Sequence, residues 1–273
     1  MFVSPWIIGF LIFSAFPFFY SLFLSFQEVK ITTEGIITEY VKLANYRYAF
    51  SVDAVFVEDL VSYIWRLLIS VPIITVFSLI IALLLNRKVK FRGFFRTIFF
   101  LPVIISSGPV IQELIDQGAT TIPALQAFEE FLRRSGDGVF ISLFLFLTTN
   151  LIVLLWFSGV QILIFLAALQ KLNRSVYEAA MVDGASGWET FWKITLPSLT
   201  PMIFVNVIYT IVNLSVFSLN PVINHIQVNM FKVETGFGYA SSLSWIYFIV
   251  IALILLIVVG IMILLGRRTS VNS

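Results

Sequence analysis

NRSVYEAAMVDGASGWETFWKITLP, running from Asn173 to Pro197, is the stretch around which the rest of the chain organises. Ser175 and Glu178 have the Ser-x-x-Glu spacing of a capping box, which predicts a helix beginning after Ser175. Asp183-Gly184 suits the end of that helix, because glycine takes up the left-handed conformation without a steric penalty. Ser186 and Glu189 repeat the capping-box spacing, so a second helix is expected there. Pro197 and Pro201 then punctuate the approach to a long apolar run. The local chemistry therefore specifies two short helices and a tight bend. Ala179 and Ala180 leave one helix face nearly bare, while Trp188, Phe191 and Trp192 supply large anchors. Such anchors suit a hydrophobic groove on a partner protein, and they suit equally an amphipathic helix lying on lipid. Local physics alone leaves both readings open.

Outward from this stretch the chain is apolar. Of 273 residues, 59% are hydrophobic and 12% charged, against roughly a quarter charged in soluble domains. So much apolar surface needs a bilayer as its solvent, and spanning helices of roughly 20 residues are expected. Six are read, at about residues 5–26, 60–85, 94–114, 139–169, 199–219 and 242–265. The fourth is longer than a perpendicular crossing requires, so a tilted or broken helix is expected. The first lacks a basic leading region and a small-residue cleavage site, so it reads as a retained helix and not a signal peptide. Because the chain starts almost inside this helix, an N-terminal tail ahead of residue 1 is an expectation.

Charge predicts the orientation. Arg87, Lys88, Lys90, Arg92 and Arg96 fill the second connection without an acid, and Arg267 and Arg268 follow the last span. Lys171, Arg174 and Lys193 fall in the fourth connection, on the same side if there are six spans. Most acids, from Glu28 and Asp53 to Asp137 and Glu234, fall on the other side. The positive-inside rule then places the basic connections and both termini in the cytoplasm. Residues 27–59 read as a mixed polar and aromatic outer loop, and residues 122–134 as a short amphipathic helix within a second one. The whole is expected to be a single transmembrane domain over residues 1–273, with no soluble domain and no clear repeat.

Several functions are excluded or left without support. With no Cys and one His, no thiolate site and no His-pair metal site can form. A net charge of +2 gives no reason to expect nucleic acid as a partner. A membrane enzyme would need convergent ionisable groups, and the spans offer almost none. A channel or scaffold would give two capped helices no evident purpose. Arg66 in the second span is expected to snorkel or to pair with Glu58 or Asp59. His225 is expected in an outer loop in a structural role, and Gly159 and Gly260 could allow close helix approach.

Polar residues inside spans tend to face a cavity or another helix. Thr148, Thr149 and Asn150 sit in the outer half of the fourth span, with Gln161 nearer its inner half. Asn206, Tyr209 and Asn213 share one face of the fifth, and Asn220 follows at the next matching turn. Asn and Tyr suit a sugar, whose hydroxyls both donate and accept; taken singly, such residues read first as glue between helices, and it is the stripe as a set that reads as a substrate path. Asn150, Asn206, Tyr209 and Asn213 are the candidate substrate path.

Tyr177-Glu178-Ala179-Ala180, Asp183-Gly184-Ala185, Phe191, Ile194, Leu196-Pro197 and Pro201 resemble the EAA loop of bacterial ABC importer permeases, in the carbohydrate branch with the maltose and glycerol-phosphate permeases. Leu43 to Arg47, the run from Ala82 to Pro102 and Gly236 to Ala240 resemble further elements of that family, so the likeness covers most of the chain. Two departures stand out. A Gly-Gly-Pro element common after the fifth span is replaced by Asn220 to His225, and the loop at residues 116–137 has no counterpart. The resemblance implies an all-α, six-span type I permease fold in the bacterial cytoplasmic membrane. It implies that Tyr177, Glu178, Ala179, Ala180, Asp183, Gly184, Ala185, Phe191, Leu196 and Pro197 couple the chain to two cytoplasmic ATP-binding subunits. A second, unlike permease and an extracytoplasmic solute-binding protein complete the implied assembly. The chain shows no P-loop, so ATP and Mg are expected on the partner subunits, with no cofactor on this chain and no enzyme activity of its own. The implied cargo is a sugar or oligosaccharide; a peptide, an amino acid, a polyamine or a phosphorylated solute is the alternative, and a non-transporter membrane scaffold a more distant one.

Overall fold

The computed structural model describes residues 3–32, 35–87, 151–217, 219–232 and 235–271, with isolated positions at 93, 94, 97, 113, 138, 141 and 145. Apart from those isolated positions, the expected third span and the first part of the fourth, with Thr148, Thr149 and Asn150, lie outside the described residues, as does the expected helix at residues 122–134. Among the described residues, five helices are long and apolar enough to cross a membrane.

Helix α1 runs Ser4–Ser25, with a π-turn at Leu11–Ala15. Pro5 occupies its first turn, where no N–H is needed. The π-turn lies just ahead of Pro17, whose missing N–H and ring require such an adjustment. Strands β1 (Gln27–Thr32) and β2 (Gly35–Tyr40) form an antiparallel hairpin, with Gln27 opposite Tyr40 and Thr32 opposite Gly35. This hairpin adds a β element to the all-α expectation, in a segment read as an irregular loop. Short helix α2 (Ala44–Ser51) follows, and α3 runs Ala54–Asn86. The second span thus begins six residues before its expected start at residue 60. The Asp53 side chain accepts from the Phe56 N–H at 3.0 Å, which satisfies a donor of the first turn and sets that start.

Helix α4 is Leu151–Lys171 and α5 is Arg174–Val182. Helix α6 runs without interruption over Gly187–Ser215, through a π-turn at Phe191–Thr195. This corrects the reading of a separate second short helix followed by proline breaks. The π-turn sits where Pro197 removes a backbone donor, and a spanning helix tolerates proline when local adjustment satisfies the freed groups. Helix α7 (Pro221–Met230) is capped by Asn220, whose side chain accepts from the Val222 N–H at 3.0 Å. Asn220 is therefore beyond the end of α6 and does not extend the polar stripe. His225 lies on α7 and not in a loop. Helix α8 covers Gly236–Val271. Arg66 on α3 is exposed.

The chain divides into two compact units: Met1–Arg66 with Ser215–Ser273, and Leu67–Leu214. In the first, β1 lies against the start of α8. A Cβ on Gly238 would collide with the Gln27 carbonyl oxygen, and one on Gly236 with the Val29 carbonyl oxygen. Only glycine permits that approach, and Gly236 also has a positive φ of 62°. Asn45 donates to the Ser25 and Gln27 carbonyls at 3.0 and 2.9 Å, clamping the junction of α1 and β1. In the second unit, Leu79, Ala82 and Leu85 of α3 pack with Ile162, Phe165, Leu166 and Leu169 of α4 and Leu199 of α6.

Candidate functional site

The stretch 173–197 lies within the second unit. Its first helix begins earlier than expected. Asn173, not Ser175, is the N-cap, accepting from the Ser175 N–H at 3.1 Å and from the Ser175 hydroxyl at 2.9 Å. Two side chains able to cap stand two residues apart, and asparagine ranks at the top of N-cap preference. Glu178, freed from a capping role, lies 3.5 Å from Arg174 across one exposed turn, a contact worth under about 1 kcal/mol.

The helix ends as its sequence dictates. Gly184 has φ of 75°. The Gly184 N–H donates to the Met181 carbonyl at 3.1 Å and the Ala185 N–H to the Ala180 carbonyl at 2.9 Å. These are the two bonds of a Schellman motif, with Asp183 as C-cap. Ser186 then opens α6 with a complete capping box. Its hydroxyl accepts from the Glu189 N–H at 3.2 Å, while the Glu189 carboxylate accepts from the Ser186 N–H at 3.0 Å. No residue separates one motif from the next, so the bend has almost no slack. A hydrogen bond of 3.0 Å between the Tyr177 hydroxyl and the Thr195 hydroxyl joins α5 to the π-turn of α6.

The bend presents an apolar face. Val182 is 87% exposed, Trp188 71% and Met181 67%. Trp188 and Trp192 pack edge to face at 5.5 Å, with Phe191 half-buried against Trp192 at 5.3 Å. Ala180 is buried beneath α5 and Ala179 faces outward, so the alanine pair serves one contact inside the unit and one bare surface. Leu196 packs on the core of the unit, and Pro197 is exposed.

The polar stripe of α6 divides in two. Asn206 is fully buried and donates to the Gln161 carbonyl of α4 at 3.4 Å. Tyr209 and Asn213 are half-buried. Asn150 lies outside the described residues.

A second polar cluster, in the first unit, escaped the sequence reading as a group. The Asp53 carboxylate stands 2.8 Å from His225 Nε2 and accepts from the Tyr239 hydroxyl at 2.7 Å, while its other oxygen caps α3. Burial pushes the Asp53 carboxyl up. The hydrogen bonds from Tyr239, His225 and the Phe56 backbone outweigh it, and the group is held below its ordinary value. Asp53, just ahead of α3, lies 172 residues from His225 on α7 and 186 from Tyr239 on α8, so no local pattern announces the group. Among the described residues, no group of three His, Cys, Asp or Glu is placed to hold a metal ion.

Known proteins align with this architecture over nearly its full length. Residues 49–271 match the family described as "Binding-protein-dependent transport system inner membrane component". The chain is 31% identical to "Probable ABC transporter permease protein YesP" of Bacillus subtilis, covering 94% of this chain and 87% of that one. It is 28% identical to "Arabinooligosaccharides transport system permease protein AraP" of the same organism, over 99% of this chain and 87% of that one. In fold it is similar to a chain of a bacterial alginate ABC transporter crystallised with an alginate-bound periplasmic protein. That match has a TM-score of 0.67 at 19% identity and covers 94% of this chain and 91% of the other. With apolar spanning helices, a capped helical bend and this breadth of match together, the chain belongs to the binding-protein-dependent transport system inner membrane components, the membrane-embedded permease subunits of ABC importers.

Proposed function

We propose that the chain forms half of the translocation path of an ATP-driven importer for a sugar or oligosaccharide. The observation that carries this reading is the doubly capped bend at residues 180–189, whose exposed Met181, Val182 and Trp188 offer a rigid apolar knob. In this reading Tyr177, Glu178, Ala179, Ala180, Asp183, Gly184, Ala185, Phe191, Leu196 and Pro197 make up the coupling element of a transporter with two cytoplasmic ATP-binding subunits, which carry ATP and Mg; Ala180 and Leu196 seat it on its own unit from beneath. ATP binding changes the relative stability of inward- and outward-facing arrangements, and it can do so only by binding the two states with different affinity. Because α6 continues from the capping box into the span, a push on Trp188 is delivered along one helix. A second, unlike permease supplies the other half of the path, and an extracytoplasmic binding protein delivers the solute. Both termini and the bend face the cytoplasm, in keeping with the basic connections.

The sugar assignment draws on the name of the AraP relative and on the amide and phenol groups of the spans. Tyr209 and Asn213, half-buried on α6, are the described members of this substrate path, to which the sequence reading adds Asn150. Asn206 is the least accessible of the three on α6, turned onto Gln161. The test is uptake by proteoliposomes containing the assembled transporter, with a panel of labelled arabino-oligosaccharides, disaccharides, peptides and amino acids. ATP-dependent uptake confined to saccharides is expected; uptake of peptides or amino acids in preference would overturn the cargo assignment.

A further inference from the structure

In the first unit a partly open cavity of about 270 Å³ lies among β1, α2 and the start of α8. Glu28, Asn45, Tyr48, Thr235 and Tyr239 supply its polar and aromatic lining. Most of the hydrogens these side chains own are already spent. The Asn45 amide nitrogen donates to two main-chain carbonyls, of Ser25 at 3.0 Å and of Gln27 at 2.9 Å, so its oxygen is what it can still offer. The Thr235 hydroxyl stands 2.8 Å from the Asn229 main-chain carbonyl, and the Tyr239 hydroxyl 2.7 Å from the Asp53 carboxylate. Near neutral pH neither of those partners has a hydrogen to give. Glu28 adds a carboxylate, which accepts from several partners at once. Directly across the hairpin from it stands Glu39, and residues paired in this way share one face of the strands. Tyr48 packs edge to face on Tyr239 at 5.1 Å and is 45% exposed, so part of its ring is open to a ligand. Lys42 and Arg47 are exposed and lie outside the lining.

Acceptor oxygens beside aromatic surface complement a group that has only donors, an ammonium or a guanidinium. Glu28 and Glu39 repel an anion. A saccharide needs donors as well as acceptors, and the volume falls below the roughly 300–1,000 Å³ of small-molecule pockets. One long side chain fits that space better. Helix α3 runs unbroken over Ala54–Asn86, so α2 and the hairpin stand at the opposite end of a span from the basic connection that opens with Arg87. In the importer reading above, on which this inference rests, that end faces the solute-binding protein. We propose that the cavity seats one lysine or arginine side chain of the solute-binding protein, with its cationic head on the Glu28 carboxylate and the Asn45 oxygen and its stem against the Tyr48 ring. The seat selects a binding protein with a basic residue at the matching position and speeds its arrival at low salt.

The test uses the assembled transporter in nanodiscs and its own solute-loaded binding protein, with affinity and stimulated ATP hydrolysis read together. Glu28→Gln and Tyr48→Leu should each weaken association by about tenfold, and Glu28→Gln should also flatten its salt dependence. One Lys→Ala or Arg→Ala variant of the binding protein should cause no further loss on the Glu28→Gln transporter. Reversing both charges, with Glu28→Lys on the transporter and Glu at that one basic position, should restore affinity, which a merely structural role for Glu28 would not do. Wild-type affinity in both transporter variants, or losses additive with every basic residue of the binding protein, would overturn the seat while leaving the importer reading in place. Competition by free arginine or spermidine as strong as by the binding protein would mark a small-cation site and would also overturn it. ATP hydrolysis by the wild-type complex that ignores the binding protein would overturn the importer reading itself, and this inference with it.

Discussion

Replacing Gly184 probes the bend with few side effects. A Cβ at this position meets nothing within 4 Å, so a side chain causes no collision and the whole penalty is conformational. Holding φ at 75° costs a non-glycine residue about 1–2 kcal/mol, and a β-branched residue towards about 3 kcal/mol. Gly184→Val therefore lowers the population of the bend by roughly one to two orders of magnitude relative to unbent alternatives. Gly184→Ala falls below that, and Gly184→Asn, which tolerates left-handed geometry, costs least. What breaks is the pair of bonds from Gly184 to Met181 and from Ala185 to Ala180, and with them the fixed angle between α5 and α6. The assay is ATP hydrolysis and solute uptake measured side by side in proteoliposomes. The expected order of uptake per ATP is wild type, then Asn, Ala and Val at position 184, with ATPase subunits lost from the Val variant if docking fails altogether. A Gly184→Val complex with full assembly and unchanged coupling would refute the reasoning.

Three further perturbations have defined outcomes. Gly238→Ala drives a methyl group into the Gln27 carbonyl and should cost about 1–3 kcal/mol, read as a lower Tm and faster proteolysis of the hairpin. Asp53→Asn leaves one oxygen where the carboxylate has two and should cost about 1–2 kcal/mol near neutral pH. Because the folded protein holds the Asp53 carboxyl below its ordinary value, this stabilisation is complete above about pH 4. It is lost as the pH falls through the folded value, and the Asn variant should lack that part of the acid transition in a Tm–pH profile. Asn213→Ala should lower uptake while leaving complex assembly intact on size-exclusion chromatography; unchanged uptake would remove Asn213 from the path.

What could be read from sequence was what local chemistry decides. The Ser186–Glu189 capping box and the left-handed Gly184 depend on neighbours within three residues, and both occur where the spacing placed them. Asn173 was passed over because Ser175 also satisfied a motif, and the choice between two caps rests on small energy differences. Pro197 and Pro201 looked like breaks because proline usually ends helices in water. In α6 the π-turn absorbs the fault and the helix continues. The hairpin left a faint signal, β-branched residues either side of Gly35, overshadowed by the strength of the flanking spans. Its packing on α8 shows only as two glycines at positions 236 and 238, whose reason is a backbone more than 200 residues away. The Asp53, His225 and Tyr239 cluster and the Gln161–Asn206 seam are tertiary, and no periodicity contains them.

The absence of cysteine makes the decisive measurement direct. A single cysteine in place of Val182, the most exposed large apolar residue of the bend, can be treated with a short thiol cross-linker in membranes holding the full complex. The account predicts a cross-link to an ATP-binding subunit carrying its own engineered cysteine, with a yield that changes on adding ATP. It also predicts labelling by a membrane-impermeant thiol reagent only in inside-out vesicles. Labelling of that cysteine from the outer face of intact cells, with no cross-link under any nucleotide condition, would contradict it.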